Sequence, residues 1–219
     1  MKNKGLIINI TFFIIAITTI TTIYLSPLKG IIQMNNYSKI QFDISTKRVS
    51  ENEIIANYNV KNISQKPIYL FNILFKTDRE GNRALDPGLA YSFKNKENRI
   101  IFGKYLIKIP DGIKVEKPEF PYLDCIQPDK TISGNFHVTN PFYVVLPYHN
   151  EMNTKVIKNA EQITFLIGFL DSSKFLKNEA VISDAYGAGK GHYNCSYGLA
   201  LQYQEFIEKT INVKWGKVK

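Results

Sequence analysis

The chain has 219 residues, of which 44% are hydrophobic, and a formal net charge of +9 at pH 7. Its 28 lysines and arginines are scattered, whereas a nucleic-acid-binding surface concentrates them on one element, so we expect no nucleic-acid partner. The residues after position 25 are enough for one substantial hydrophobic core. No linker or internal repeat divides them, and we therefore predict a single folded domain.

The first feature along the chain is an uncharged, largely hydrophobic segment at residues 6–25. As a helix it would be about 30 Å long, which is enough to cross the hydrocarbon core of a membrane. Lys2 and Lys4 precede it, and positive residues favour the cytoplasmic side. We predict a cytoplasmic N-terminus at residues 1–5, a transmembrane signal-anchor helix at residues 6–25 in contact with membrane lipid, and a periplasmic or extracellular remainder.

A cleaved signal peptide is the alternative interpretation of the same segment. Signal peptides have a shorter apolar core, followed by small residues at the cleavage site. Residues 22–27 read TIYLSP and contain no A-x-A pattern, which favours the uncleaved anchor. We interpret residues 26–37 as a stalk and residues 38–219 as an extracytoplasmic domain.

The predicted domain has the pattern of an all-β protein. Apolar and polar residues alternate at 40–45, 54–61, 132–139 and 211–216, which is typical of strands with one buried face. Residues 68–75 and 163–170 are apolar on both faces, which predicts central strands covered on both sides. Further strands are predicted at residues 89–93, 100–109, 142–146 and 199–207. Turns rich in proline and glycine separate these segments, and together they predict a two-layer antiparallel immunoglobulin-like sandwich.

Two loop insertions, at residues 109–130 and 171–197, account for the extra length of this sandwich. Each insertion contains or borders a cysteine, Cys125 in the first and Cys195 in the second. An even number of cysteines in an oxidising compartment favours a disulfide, which would contribute about 4 kcal/mol in the chain-entropy model. Two separate thiols are the alternative.

The motifs give little support to catalysis or to a cofactor. The string GAGKGH at residues 187–192 lacks the spacing of a phosphate-binding loop. His192 and Cys195 could join Cys125 and His149 as zinc ligands, but the predicted disulfide uses the same cysteines. We therefore predict no metal and no cofactor. A metal- or thiol-dependent enzyme that uses these residues is the least favoured alternative.

Aromatic residues suggest a binding role. The chain has 14 phenylalanines, 13 tyrosines and one tryptophan, and exposed tyrosines on a sandwich can bind sugars or peptides. We expect a non-catalytic binding or scaffolding protein of the cell envelope with a protein or glycan partner. A carbohydrate- or peptide-recognition module is the main alternative, with these candidate binding residues: Tyr122, Tyr143, Tyr148, Tyr193 and His192.

Overall fold

A computed structural model describes residues 39–77, 80, 83–95, 99–116, 118–148, 160–174, 180–182 and 192–215. The predicted anchor at residues 6–25 and the whole predicted stalk at residues 26–37 lie outside these residues, so both remain predictions. Among the described residues, no helix is long and apolar enough to cross a membrane.

The described residues form twelve strands and one helix. The strands are, in chain order, β1 (Ile40–Ser50), β2 (Glu53–Asn62), β3 (Ile68–Thr77), β4 (Arg83–Asp86), β5 (Tyr91–Lys94), β6 (Ile100–Lys104), β7 (Tyr122–Ile126), β8 (Thr131–Thr139), β9 (Gln162–Asp171), β10 (Ala180–Ile182), β11 (His192–Cys195) and β12 (Gln204–Asn212). The helix, α1 (Tyr197–Tyr203), lies between β11 and β12. This content confirms the prediction of an all-β sandwich.

The smaller sheet has three antiparallel strands in the order β1-β2-β8. Strand β2 shows why its sequence forms a strand with one buried face. Ile54, Ala56, Tyr58 and Val60 are buried, and the residues between them are half-buried or exposed. A strand directs successive side chains to opposite faces, so this two-residue period places one row of apolar groups toward the second sheet.

The larger sheet has the order β10-β11-β7-β3-β9-β6-β5, with β12 paired to β9 and β4 paired to β3. Strand β9 organises this sheet, because β12 follows it along its whole length while β6 and β3 pair with successive parts of it. Strands β6 and β9 run parallel, so the sheet is mixed rather than purely antiparallel. The sequence pattern predicted the strands but contained no signal for this parallel pair.

The main hydrophobic core lies between the two sheets. Phe165 of β9 occupies its middle, with ring centroids 4.9 Å from Phe136 of β8 and 6.2 Å from Phe102 of β6. All three rings are buried. Aromatic groups of this size remove large apolar areas from water and add favourable edge and tilted ring contacts. The core therefore joins both sheets through β9.

A second layer covers the outer face of the larger sheet. Leu106, Cys195 and Ala200 pack there against Phe71 and Leu170, which belong to β3 and β9. Residues 163–170 are consequently buried on both faces, which confirms the prediction for this segment. The same prediction is confirmed for most of residues 68–75, since Ile68 and Leu70–Leu74 are buried and only Tyr69 and Phe75 are half-buried.

Not all of the predicted strands form as predicted. Residues 142–146 contain only isolated bridges, one of them between Ser92 and Val145, and the predicted strand at 211–216 ends with β12 at Asn212. Residues 197–203 form α1 because the Ser196 hydroxyl caps the helix by accepting a hydrogen bond from the Leu199 amide, at 3.3 Å. Residues 105–109 continue from β6 without strand pairing. Their backbone groups bond to side chains instead: Gln204 pairs with both backbone groups of Leu106, and the Tyr197 hydroxyl bridges Ile107 and Ile109. Side-chain bonds of this kind satisfy a buried backbone as a neighbouring strand would.

Gly134 on β8 gives a direct test of the core packing. A methyl group at this position would overlap the hydroxyl end of the buried Tyr58 ring. We expect Gly134→Ala to lower the free energy of unfolding by about 1–3 kcal/mol, because overpacking forces the ring from its position. Urea unfolding of the full chain measures this change.

Gly198 is the matched control for that substitution. It lies in α1, and an added methyl group would meet no atom within 4 Å. We expect Gly198→Ala to be neutral or to stabilise by up to about 1 kcal/mol, because alanine favours helix more than glycine does. Equal losses from both substitutions would contradict the packing described for Tyr58.

Candidate functional site

A polar groove with a volume of about 940 Å³ lies at one end of the sandwich. Four separate segments form it: the β1–β2 turn with Glu51 and Asn52, Asn140 after β8, the start of β9 with Glu161 and Gln162, and residues 212–215 at the end of β12. Strand register brings these segments together, since Glu53 pairs with Thr139 and Gln162 pairs with Asn212. We call this surface the polar groove.

Four carboxamide side chains line the polar groove, from Asn52, Asn140, Gln162 and Asn212. Each carboxamide has two N–H donors and one oxygen acceptor, so it can bond to neighbouring groups of a ligand in more than one direction. Gln162 and Asn212 already form such a pair, with the Gln162 amide donating to Asn212 Oδ1 at 3.2 Å. All except Asn140 are exposed, and they are therefore accessible from solvent.

Trp215 supplies the aromatic surface of the polar groove. Its indole N–H donates to the backbone oxygen of Ala160 at 2.9 Å, and its ring meets Phe142 edge to face at 5.6 Å. The backbone nearby is also fixed, because the Val213 amide donates to Glu161 O at 2.7 Å. These contacts hold the half-buried ring in one orientation beside the carboxamides.

The charges of the polar groove do not favour an anionic ligand. Glu51 and Glu161 contribute two carboxylates, and Lys214 contributes the single cation among its described lining residues. A site for phosphate or for a polyanion presents several cations or aligned N–H donors. The groove chemistry instead suits a neutral ligand with many hydroxyl or amide groups.

A second, smaller cavity of about 170 Å³ lies near the edge of the sandwich. Its lining includes the carboxylate of Asp86, the hydroxyl of Ser92 and the imidazole of His137, which are the residue types of a hydrolytic site. However, Asp86 Oδ1 accepts hydrogen bonds from the amides of Gly88 and Leu89, and Ser92 Oγ donates to Tyr143 O at 2.5 Å. These groups therefore hold two loops in place, and this cavity gives no support to catalysis.

The predicted binding residues lie in different environments. Tyr122 is only 2% exposed, whereas Tyr143 is 48% exposed and lines the smaller cavity. The Tyr148 hydroxyl accepts a hydrogen bond from the Glu119 amide at 2.5 Å. The Tyr193 ring packs edge to face on Tyr69 at 5.2 Å, and His192 begins β11. None of these residues lines the polar groove as described, and His149 and residues 187–191 lie outside the described residues.

Cys125 and Cys195 are not joined in a disulfide, and this corrects the sequence-based prediction. The register of β7 and β11 gives the reason. His192 pairs with Asp124, so Cys125 and Cys195 are offset by four residues along the two strands, or about 13 Å at the rise of a β-strand. A disulfide requires Cα atoms within about 7 Å. The cysteines therefore belong to neighbouring strands but cannot meet without a shift of register.

We expect thiol titration of the denatured, non-reduced full chain to give two thiols per molecule. Burial raises the pKa of the Cys125 thiol, so it should react slowly in the folded protein and quickly after denaturation. The Cys125→Ser variant, which should give one thiol, is the control. If the wild type had no titratable thiol, the cysteines would be joined in a disulfide, and the described register would be contradicted.

Metal-ligating side chains do not cluster in the part of the chain that the structure describes. No group of three or more histidine, cysteine, aspartate or glutamate side chains there is placed to hold a metal ion.

Sequence reasoning did not predict the polar groove, because its residues come from four distant segments. The alternation of Ile211, Val213 and Trp215 was the only signal, and it indicated a strand face rather than a site.

No protein-family model, curated protein or solved structure matches this chain. The chemistry of the polar groove is therefore the main guide to function.

Proposed function

We propose that this protein is a non-catalytic binding module of the cell envelope that holds a hydroxyl-rich ligand, such as a glycan, in the polar groove. The signal-anchor at residues 6–25, the extracytoplasmic location and the immunoglobulin-like type of the sandwich are parts of this proposal. The observation that carries it is the presence of four carboxamides and one fixed tryptophan in a single groove.

The size and chemistry of the groove support a ligand of several sugar rings or a short peptide. Binding sites for small ligands usually have volumes of about 300–1,000 Å³, with a few polar groups that fix orientation. Carboxamides and carboxylates can bond to adjacent hydroxyl groups of a sugar. The half-buried tryptophan adds a rigid apolar surface for the faces of the rings.

The position of the polar groove also supports a binding role. Strand β1 begins at Ile40, where the chain enters the described domain, and ends at Ser50 beside the groove. At about 3.3 Å per residue, its 11 residues separate the two ends by about 35 Å. The groove is therefore at the opposite end of the domain from Ile40, the first residue of β1.

A glycan array incubated with the full chain in detergent tests this function. We expect the wild type to bind at least one class of neutral oligosaccharide and the double variant Gln162→Ala/Asn212→Ala to lose that binding. Asn57→Ala is the matched control, because Asn57 is an exposed asparagine of β2 outside the groove. Binding that survives the double variant, or no binding to any glycan on the array, would contradict the proposal.

A further inference from the structure

Lys104, the last residue of β6, is completely buried in the core. Its ammonium nitrogen lies 5.1 Å from the ring centroids of both Tyr58 and Phe136. It donates to the Tyr58 hydroxyl at 3.2 Å and to the backbone oxygen of Pro87. Lysine is almost never fully buried unless it is paired, since desolvation of its charge is costly. The surroundings of Lys104 therefore require an explanation.

The same hydroxyl connects Lys104 to a second buried side chain. Tyr58 Oη donates to Asn72 Oδ1, and Asn72 Nδ2 donates to Asp124 Oδ2 at 2.5 Å. The carboxamide of Asn72 is thus fixed at its oxygen and at its nitrogen. Because Lys104 Nζ and Asn72 Oδ1 share the Tyr58 hydroxyl, they lie within the length of two hydrogen bonds, about 6 Å.

We propose that Lys104 and Asn72 form an intramolecular isopeptide bond, with Asp124 as the proton-transfer group and the Tyr58 hydroxyl at the carbonyl oxygen. The reaction exchanges one amide for another: an amine and a primary carboxamide give a secondary amide and ammonia. It requires no oxidant, reductant or co-reactant, and all of its parts lie within one chain.

Each group in the network has a defined part in this reaction. The neutral amine of Lys104 attacks Cγ of Asn72, and the negative charge that develops on Oδ1 is stabilised by the Tyr58 hydroxyl. Asp124 accepts a proton that Nζ loses and delivers a proton to Nδ2, to which it is already hydrogen-bonded. The Cγ–Nζ bond forms, the Cγ–Nδ2 bond breaks, and Nδ2 leaves as ammonia.

The environment of Lys104 supplies the neutral amine that this attack needs. Burial lowers the pKa of Lys104 to about 7, while the charges of Asp86 and Asp124 act in the opposite direction. A substantial fraction of the amine is then unprotonated at neutral pH. An exposed lysine would be almost fully protonated there and would not act as a nucleophile.

The bond would connect two strands that no described ladder joins. Strands β3 and β6 pair with successive parts of β9 rather than with each other. A covalent link between Asn72 and Lys104 would close this gap in the larger sheet.

The intact mass of the full chain decides the proposal. We expect the wild type to be lighter than its sequence by one ammonia molecule, and Lys104→Met and Asn72→Ala to show no such deficit. Lys108→Met is the matched control, because Lys108 is an exposed lysine close to Lys104 in sequence, and it should keep the deficit. A wild-type mass equal to that of the sequence would overturn the proposal without any variant.

Tryptic mapping of the denatured wild type locates the bond. We expect no cleavage after Lys104 and a branched peptide that contains both Asn72 and Lys104. A deficit that persists in Lys104→Met would indicate cyclisation of an asparagine elsewhere and would contradict the bond. The Asp124→Asn variant should fold but form the isopeptide bond in only part of the molecules. Complete formation of the bond in this variant would show that Asp124 does not transfer the proton.

The pH dependence of stability provides a second readout. In Asn72→Ala the amine of Lys104 remains, with a folded pKa of about 7 against 10.5 in the unfolded chain, facing Tyr58, Asp86 and Asp124. Between these values the unfolded state binds more protons, so stability should rise as the pH increases from 7 to 9. The wild type, whose amine is consumed, should lack this rise in thermal midpoint. The same rise in the wild type would contradict the bond.

Discussion

Replacing Phe165 with alanine is expected to lower the free energy of unfolding by about 3–5 kcal/mol, which is the usual loss when a buried phenylalanine is truncated. The ring is fully buried and touches Phe136 in one sheet and Phe102 in the other, so its removal leaves a cavity where the two sheets meet. Urea unfolding of the full chain in detergent measures the change.

Phe165→Leu is the matched variant for this test. It keeps an apolar side chain in the core and leaves a smaller cavity, so its loss should be clearly smaller than that of Phe165→Ala. A loss below about 1 kcal/mol for the alanine variant would show that Phe165 does not join the sheets as described.

Replacing Trp215 with alanine is expected to weaken ligand binding in the polar groove by about 30-fold or more, which corresponds to the loss of about 2 kcal/mol at a binding hot spot. The indole is the only described aromatic side chain lining the groove, and its contacts with Ala160 and Phe142 fix it in advance of binding. Isothermal titration of the full chain with the oligosaccharide selected on the array measures the affinity.

The Trp215→Phe variant distinguishes the contribution of the aromatic ring to affinity from that of the indole N–H. The N–H already bonds to Ala160 rather than pointing at a ligand, so phenylalanine should recover part of the affinity that alanine loses. Equal affinities for the wild type and for Trp215→Ala would exclude the polar groove as the binding site. Thermal unfolding of both variants checks that the end of the sandwich is intact.

The strands were the part of the structure most accessible to sequence reasoning. The two-residue alternation of Ile54, Ala56, Tyr58 and Val60 appears directly as the buried row of β2. The apolar run at 163–170 likewise gives β9, which is covered on both faces. These patterns are local, so they predict a strand whichever other strands it pairs with.

Sequence reasoning failed where the structure depends on pairing with a strand that is distant in sequence, or on one capping side chain. Residues 199–203 have the composition of a strand, but the Ser196 cap starts a helix there. Cys125 and Cys195 occupy neighbouring strands, yet the register between β7 and β11 separates them by four residues. No periodic pattern contains information about register between strands so distant in sequence.

The polar groove and the burial of Lys104 both depend on contacts between segments that are distant in sequence. Gln162 and Asn212 are adjacent only because β9 and β12 pair in one register. Lys104 ends the segment IIFGK, where a charged residue at a strand end is usually exposed. Its burial follows from the packing of Tyr58 and Phe136, which lie on the opposite sheet.

The fluorescence of Trp215 is the most direct test of the binding role. The chain has one tryptophan and that residue lines the polar groove, so the intrinsic emission of the unlabelled full chain reports on this site alone. We predict a saturable change in emission when a neutral oligosaccharide is added, and no such change in Gln162→Ala/Asn212→Ala. An emission that stays constant while the oligosaccharide binds, as measured by calorimetry, would contradict a ligand site in the polar groove.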